Sequence, residues 1–192
     1  MIIEVELVAA IEAAIVEKLK NATALGYLKT VASYGGELDD DLSEVIRAYP
    51  AIWVVFAGSG KPEKLGAEKW KTPGTFVTMV AARNVRNEAA TRLGDAKEIG
   101  TYQMLRHVRT LLMNEDLDLP IARLQPGAVR SLYNTKVRGQ ALSVFAQEWT
   151  THWMEKVPTP EEKDLLKVGL NYYLKPGDAV VDAADLVTVA TA

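Results

Sequence analysis

An apolar run, Val54-Val55-Phe56-Ala57, meets Gly58-Ser59-Gly60-Lys61, the kind of passage that can wrap backbone N–H groups around a phosphate. A phosphate-binding loop has glycine five positions before its Gly-Lys pair and Ser or Thr after the lysine. Here those positions hold Val55 and Pro62, and proline removes a backbone donor where a phosphate would want one. A hairpin tip accounts for the glycines better, and a nucleotide-binding enzyme using residues 58–61 stands as the alternative.

The other reactive side chains are scattered. His107 and His152 are the only histidines and fall in different elements, with no H-E-x-x-H spacing to suggest a metal. Ser131 and Ser143 lie in strand-like runs without the G-x-S-x-G turn of a nucleophile elbow, and Ser59 lacks the strand–turn–helix context. Asp39, Asp40 and Asp41 lack the twelve-residue calcium pattern and suit a solvated helix start. With no cysteine, disulfides, thiolate metal sites and cysteine nucleophiles are excluded. No cofactor, metal or catalytic set is expected.

Arginine is distributed unevenly. Arg83, Arg86, Arg92, Arg106, Arg109, Arg123, Arg130 and Arg138 fall within one stretch, whereas lysine dominates the glycine-rich loop and both ends. The planar guanidinium favours packed protein interfaces; scattered surface charge is the plainer reading. Trp149 and Trp153 share one strand parity, so they are either core or, should the strand overrun its domain, a subunit contact.

The elements that position these residues follow from periodicity. Residues 137–153 alternate over seventeen positions, with Ala141, Phe145, Trp149 and Trp153 on one parity and Leu142, Val144 and Glu148 on the other. That is a strand, about 55 Å long at the usual rise. Ile3, Leu7, Ile11, Ile15 and Leu19 make residues 2–20 an amphipathic helix with Glu4, Glu12 and Glu17 facing elsewhere. Residues 27–34 read as a strand, and Asp41 with Glu44 as a capping box. Residues 51–57 are apolar on both parities, a central strand covered on both faces.

Residues 58–74 read as a long hairpin tip and residues 75–85 as the returning strand. Asp95 and Glu98 cap a second helix, with Ile99, Tyr102, Leu105, Val108 and Leu112 as its stripe. Residues 121–124 and 129–133 are short strands divided by Pro126-Gly127, and Asn134-Thr135-Lys136 is a turn. Thr159, Pro160 and Glu162 predict a helix over 160–174, followed by extended segments over 179–189. The fold class is α+β: a mostly antiparallel sheet with helices on one face, a long hairpin and a C-terminal arm. The domain spans 1–157 and the arm 158–192.

The chain has 192 residues, 48% of them hydrophobic and 24% charged, and a net charge of −3. That balance disfavours a protein built to grip nucleic acid. The early glutamates interrupt any signal peptide, and no window is apolar enough to span a membrane. The chain reads as soluble and intracellular.

The order of the pieces resembles a known family. YPAIWVVF at residues 49–56, RLGD at 92–95, GTYQMLRHVRTLL at 100–112 and SVFAQEWTT at 143–151, behind the N-terminal helix, look like the tail-terminator proteins of Mu-like phages and prophages. The resemblance spans residues 1–153. It implies a homo-oligomer, a hexameric ring that caps the tail tube, halts its polymerisation and offers the head-joining surface. DNA would pass through the lumen without specific binding. The implied partners are the tube protein and, beyond it, sheath and head–tail connector; the implied location is the virion tail, assembled in the host cytoplasm. A head-completion or connector protein on the portal side is the alternative. The family brings no catalytic residues. The expected interface comprises Lys61, Lys64, Lys69 and Trp70 in the tip, Arg83, Arg86 and Arg138, and Trp149 and Trp153.

Overall fold

The computed structural model describes residues 2–36, 48–84, 92–93, 99–137, 140–156, 167–173, 175, 177, 179, 181 and 183–188. The chain divides into two compact units, 1–157 and 158–192. The first contains α1 (Ile2–Lys20), β1 (Thr30–Ser33), β2 (Ala51–Ser59), β3 (Glu63–Lys64), β4 (Lys69–Asn84), α2 (Thr101–Leu112), β5 (Gln125–Val137) and β6 (Gln140–Lys156). The second holds β7 (Lys167–Tyr172) and β8 (Ala183–Thr188).

The first unit is α+β, as expected. Its sheet runs β1-β2-β4-β6-β5, with β3 also pairing β4, and among the described residues only the β1–β2 pair is parallel. The β4–β6 ladder forms its spine, in unbroken register from Lys69↔Lys156 to Asn84↔Ala141. Alternation along these strands separates two cores. Ile52, Val54, Phe76, Val80, Trp149 and Trp153 meet Ile11, Ile15 and Leu19 of α1 and Met104, Val108 and Leu112 of α2. The opposite parity sends Trp53, Met79, Ala81, Leu142 and Val144 into a second core with Tyr49. The expected burial on both faces over 51–57 is met at residues 51–54, while Val55 and Phe56 are half-buried and Ala57 is exposed.

α1 matches its expected span, but Glu12 is not merely solvent-facing. β1 ends at Ser33, which leaves the next N–H of β2 on that side without a strand partner. Glu12 fills the gap: its carboxylate accepts from Phe56 N–H at 2.9 Å and from the Ser33 hydroxyl. An unpaired backbone donor is thereby satisfied.

Several boundaries differ from expectation. The helix capped at Asp95 is instead α2, with Gly100 at its N-cap and no side-chain cap; residues 94–98 lie outside those described, as does the box at Asp41 and Glu44. The buried positions of α2 are Thr101, Met104, Val108 and Leu112, while Tyr102 is exposed and packs edge-on to Phe145. The stripe is rotated so that the Thr101 hydroxyl meets that of Ser143, 3.3 Å away on β6.

Pro126 and Gly127 do not end a strand. β5 is an edge strand, where a proline loses no ladder bond, and it passes them at a bulge. A Cβ on Gly127 would lie 2.9 Å from that of Glu148. Asn134, Thr135 and Lys136 likewise continue the strand, opposite Ser143, Leu142 and Ala141. The long strand is therefore β6 at 140–156, as long as expected but displaced by three residues. The returning strand of the hairpin begins at Lys69 rather than 75.

In the second unit, β7 and β8 form an antiparallel two-stranded sheet. Residues 167–172 are thus a strand where a helix was expected; Gly169 and Tyr172 suit it better. Residues 158–166, with the cap at Thr159, lie outside those described. No described helix is long and apolar enough to cross a membrane.

Candidate functional site

The hairpin arm is built by β2, β3 and β4. A bulge lies between Phe56 and Gly58, and Gly58 takes φ +130°, a conformation that favours glycine. Ser59 still pairs with Gly74 in the ladder. Its hydroxyl donates to Pro73 O at 2.7 Å, and Gly60 N–H donates to the same oxygen at 3.3 Å. The stretch that resembles a phosphate loop thus commits these donors to the hairpin. Beyond it, β3 pairs Glu63 with Lys71 and Lys64 with Trp70, and Leu65 N–H closes the tip on Lys69 O at 2.9 Å.

Lys61, Lys64 and Lys69 are all exposed and Trp70 is half-buried. The Lys64 ammonium sits 5.6 Å above the Trp70 ring, a cation–π contact that orders one of the lysines. The arm therefore presents cations and exposed Leu65 on a braced ribbon. That chemistry suits docking to an acidic or amphipathic surface.

The two edges of the sheet differ. β1 is four residues long and lies beside the Glu12 staple. β5 is thirteen residues long, and residues 129–132 are exposed in succession. Val129 and Leu132 are each 43% exposed there. Arg130 reaches Glu148 at 3.3 Å, and Arg123 reaches Asp116 at 3.9 Å; exposed pairs of this kind are weak.

Trp149 and Trp153 belong to the core, which corrects their place among the interface residues. They are 0% and 2% exposed because the helices cover their parity of β6. Trp149 Nε1 donates to Thr78 Oγ1 at 3.0 Å, and Trp153 Nε1 to Glu155 at 2.8 Å. Arg83 is half-buried at the far end of β4, lining a cleft with Tyr27, Lys29, Tyr49, Pro50 and Ile99. It is therefore remote in the ladder from the arm. Arg86 and Arg138 lie outside the described residues. Arg92 is half-buried, and Arg106 and Arg109 are exposed on α2 or beside it.

The histidines serve packing. His107 hydrogen-bonds Tyr27 at 3.3 Å. Partial desolvation, then the Lys71 ammonium, holds His152 below its ordinary pKa. Burial pushes the phenols of Tyr27 and Tyr49 up to about 12. Among the described residues no group of three or more His, Asp or Glu could hold a metal.

Sequence reasoning missed the C-terminal hairpin as a surface. Leu170, Tyr172, Leu186 and Val187 are all exposed on it, Leu186 at 59%. The signal available was charge: residues 158–192 hold six acids, three lysines and no arginine, while residues 119–147 hold four bases and no acid. A family model described as Bacteriophage Mu, Gp37 matches residues 7–154, nearly the whole first unit. No curated protein matches the chain.

Proposed function

The chain belongs to the bacteriophage Mu Gp37 family, and from that premise we propose that this phage structural protein is a tail terminator. It forms a ring, a hexamer by the resemblance noted above, that caps the tail tube, stops its growth and gives the head its joining surface. The observation that carries the reading is that the family match, residues 7–154, takes in α2, the hairpin arm and nearly all of α1 and of the β4–β6 spine together. A closed ring needs two unlike surfaces that meet head to tail, and a long β5 edge in a basic stretch and an acidic C-terminal segment are unlike surfaces. The arm, with Lys61, Lys64, Lys69 and Trp70, is the element that reaches for the tube. DNA passes through the lumen without specific binding, in keeping with a chain of net charge −3.

Phage particles made without this protein test the assignment by electron microscopy. Overlong tails are expected. Tails of normal length beside unattached heads would overturn it in favour of a connector on the portal side.

A further inference from the structure

The β7–β8 hairpin is too small to be stable by itself, since an isolated two-stranded hairpin is marginal in water. It nevertheless leaves Leu186 59% and Val187 44% exposed on β8. In the first unit, β5 is the last strand of the sheet among the described residues and exposes Val129 and Leu132 on either side of Arg130 and Ser131. A sheet edge of this length is a template for another strand unless it is covered or blunted.

We propose that β8 of one copy adds to the outer edge of β5 in a second copy. Charge selects the pairing. β8 carries Asp185 within it, in a segment whose acids outnumber its lysines two to one; the stretch around β5 carries Arg123, Arg130, Lys136 and Arg138 with no acid from 119 to 147. Arg123 and Arg130 are 60% and 70% exposed in their side chains, so their present pairs are open to exchange. Apolar side chains match as well: Leu186 and Val187 find Val129 and Leu132. Every copy carries both the basic β5 edge and the acidic C-terminal segment, and that complementarity makes a second copy of this chain the occupant. The two bulges in β5 deter indiscriminate pairing, so the charge and apolar match decides which strand is accepted.

This contact deepens the ring proposed above. It rests on that reading for closure into a ring, not for the strand addition itself. Because the chain has no cysteine, single-cysteine variants report it cleanly. Differently tagged Leu132→Cys and Leu186→Cys full-length chains are mixed with a short bismaleimide, both in solution where light scattering shows more than a monomer and on tail-tube ends. The mixed product is expected in excess of either self-crosslinked product by on the order of tenfold. Roughly equal products, no product in either setting, or, in a third chain carrying both Leu132→Cys and Leu186→Cys, linkage confined within that chain would overturn the proposal.

A charge exchange gives a second test. Asp185→Lys and Arg130→Glu should each weaken association by on the order of tenfold, and mixing the two variants should restore it. Failure of that rescue counts against the contact. Crosslinking with tails of normal length would keep the contact and remove the terminator role; overlong tails without crosslinking would do the reverse.

Discussion

Replacing Trp149 separates a core residue from an interface residue, because the two roles predict opposite readouts. The ring is 0% exposed, faces Phe76 across the β4–β6 ladder, and donates its indole N–H to Thr78 Oγ1 at 3.0 Å. Trp149→Ala removes the packed ring and leaves a cavity, a loss of about 3–5 kcal/mol. It also removes the donor to Thr78, whose bond to Gln147 O is long at 3.5 Å, adding about 1 kcal/mol. Trp149→Phe keeps most of the packing and should cost about 1–3 kcal/mol. For a unit of this size each kcal/mol lowers Tm by about 2–4 °C. Calorimetry of the monomeric protein should therefore show a fall of about 8–24 °C for alanine and about 2–12 °C for phenylalanine. Association of the phenylalanine variant, measured well below its Tm, should match the parent. An alanine variant that melts within 2 °C of the parent yet no longer associates would refute the core assignment.

Two further perturbations probe the same unit. A Cβ at residue 74 would lie 2.4 Å from Trp153 Cζ3, and that ring is buried and tied to Glu155, so Gly74→Ala should destabilise by about 1–3 kcal/mol; denaturant unfolding with an unchanged midpoint would contradict it. The phenols of Tyr27 and Tyr49, raised to about 12 by burial, keep their protons in the folded state after the unfolded chain has lost them near pH 10. The unfolded state then binds fewer protons, so stability is intact below pH 10 and falls as pH rises toward 12. Tyrosinate absorbance should show at least two of the seven tyrosines ionising late or on unfolding; all seven titrating together near pH 10 in a folded protein would refute the burial.

How much of this was legible depended on whether a segment's fate was decided locally. The α1 stripe, the doubly buried β2 and the period-two alternation of β6 each carry their own pattern, and each appears in the fold. The ends of β6 were missed because Asn134-Thr135-Lys136 has good turn chemistry, which ladder pairing with residues 141–143 overrides. Pro126-Gly127 misled for the opposite reason: proline forbids a central strand, but nothing local says that β5 is an edge. The stripe of α2 depends on a contact distant in sequence, Thr101 with Ser143. Among candidate site residues, the lysines of the tip are exposed, since glycine and charge leave them little else to do. Trp149 and Trp153 could not be assigned, because parity groups side chains on a face without saying what covers it.

The sheet's asymmetry bears on how a subunit could belong to a ring at all. An edge-to-edge pairing of identical strands would be isologous and would stop at two copies. The β1 edge is short, parallel to its neighbour and stapled by Glu12 through Phe56 and Ser33, so it offers little to a second strand. The β5 edge is long, but alone it would favour pairing with itself. Arg130 and Lys136 within it oppose that, since like charges across a ladder destabilise it. In the proposed contact an acidic strand outside the main sheet would resolve the problem: donor and acceptor would be different surfaces of each copy, and addition would proceed head to tail. On this reasoning the C-terminal hairpin, which falls beyond the family-matched residues, is what makes the proposed association directional, and removing the charge difference should turn growth in one direction into weak self-pairing.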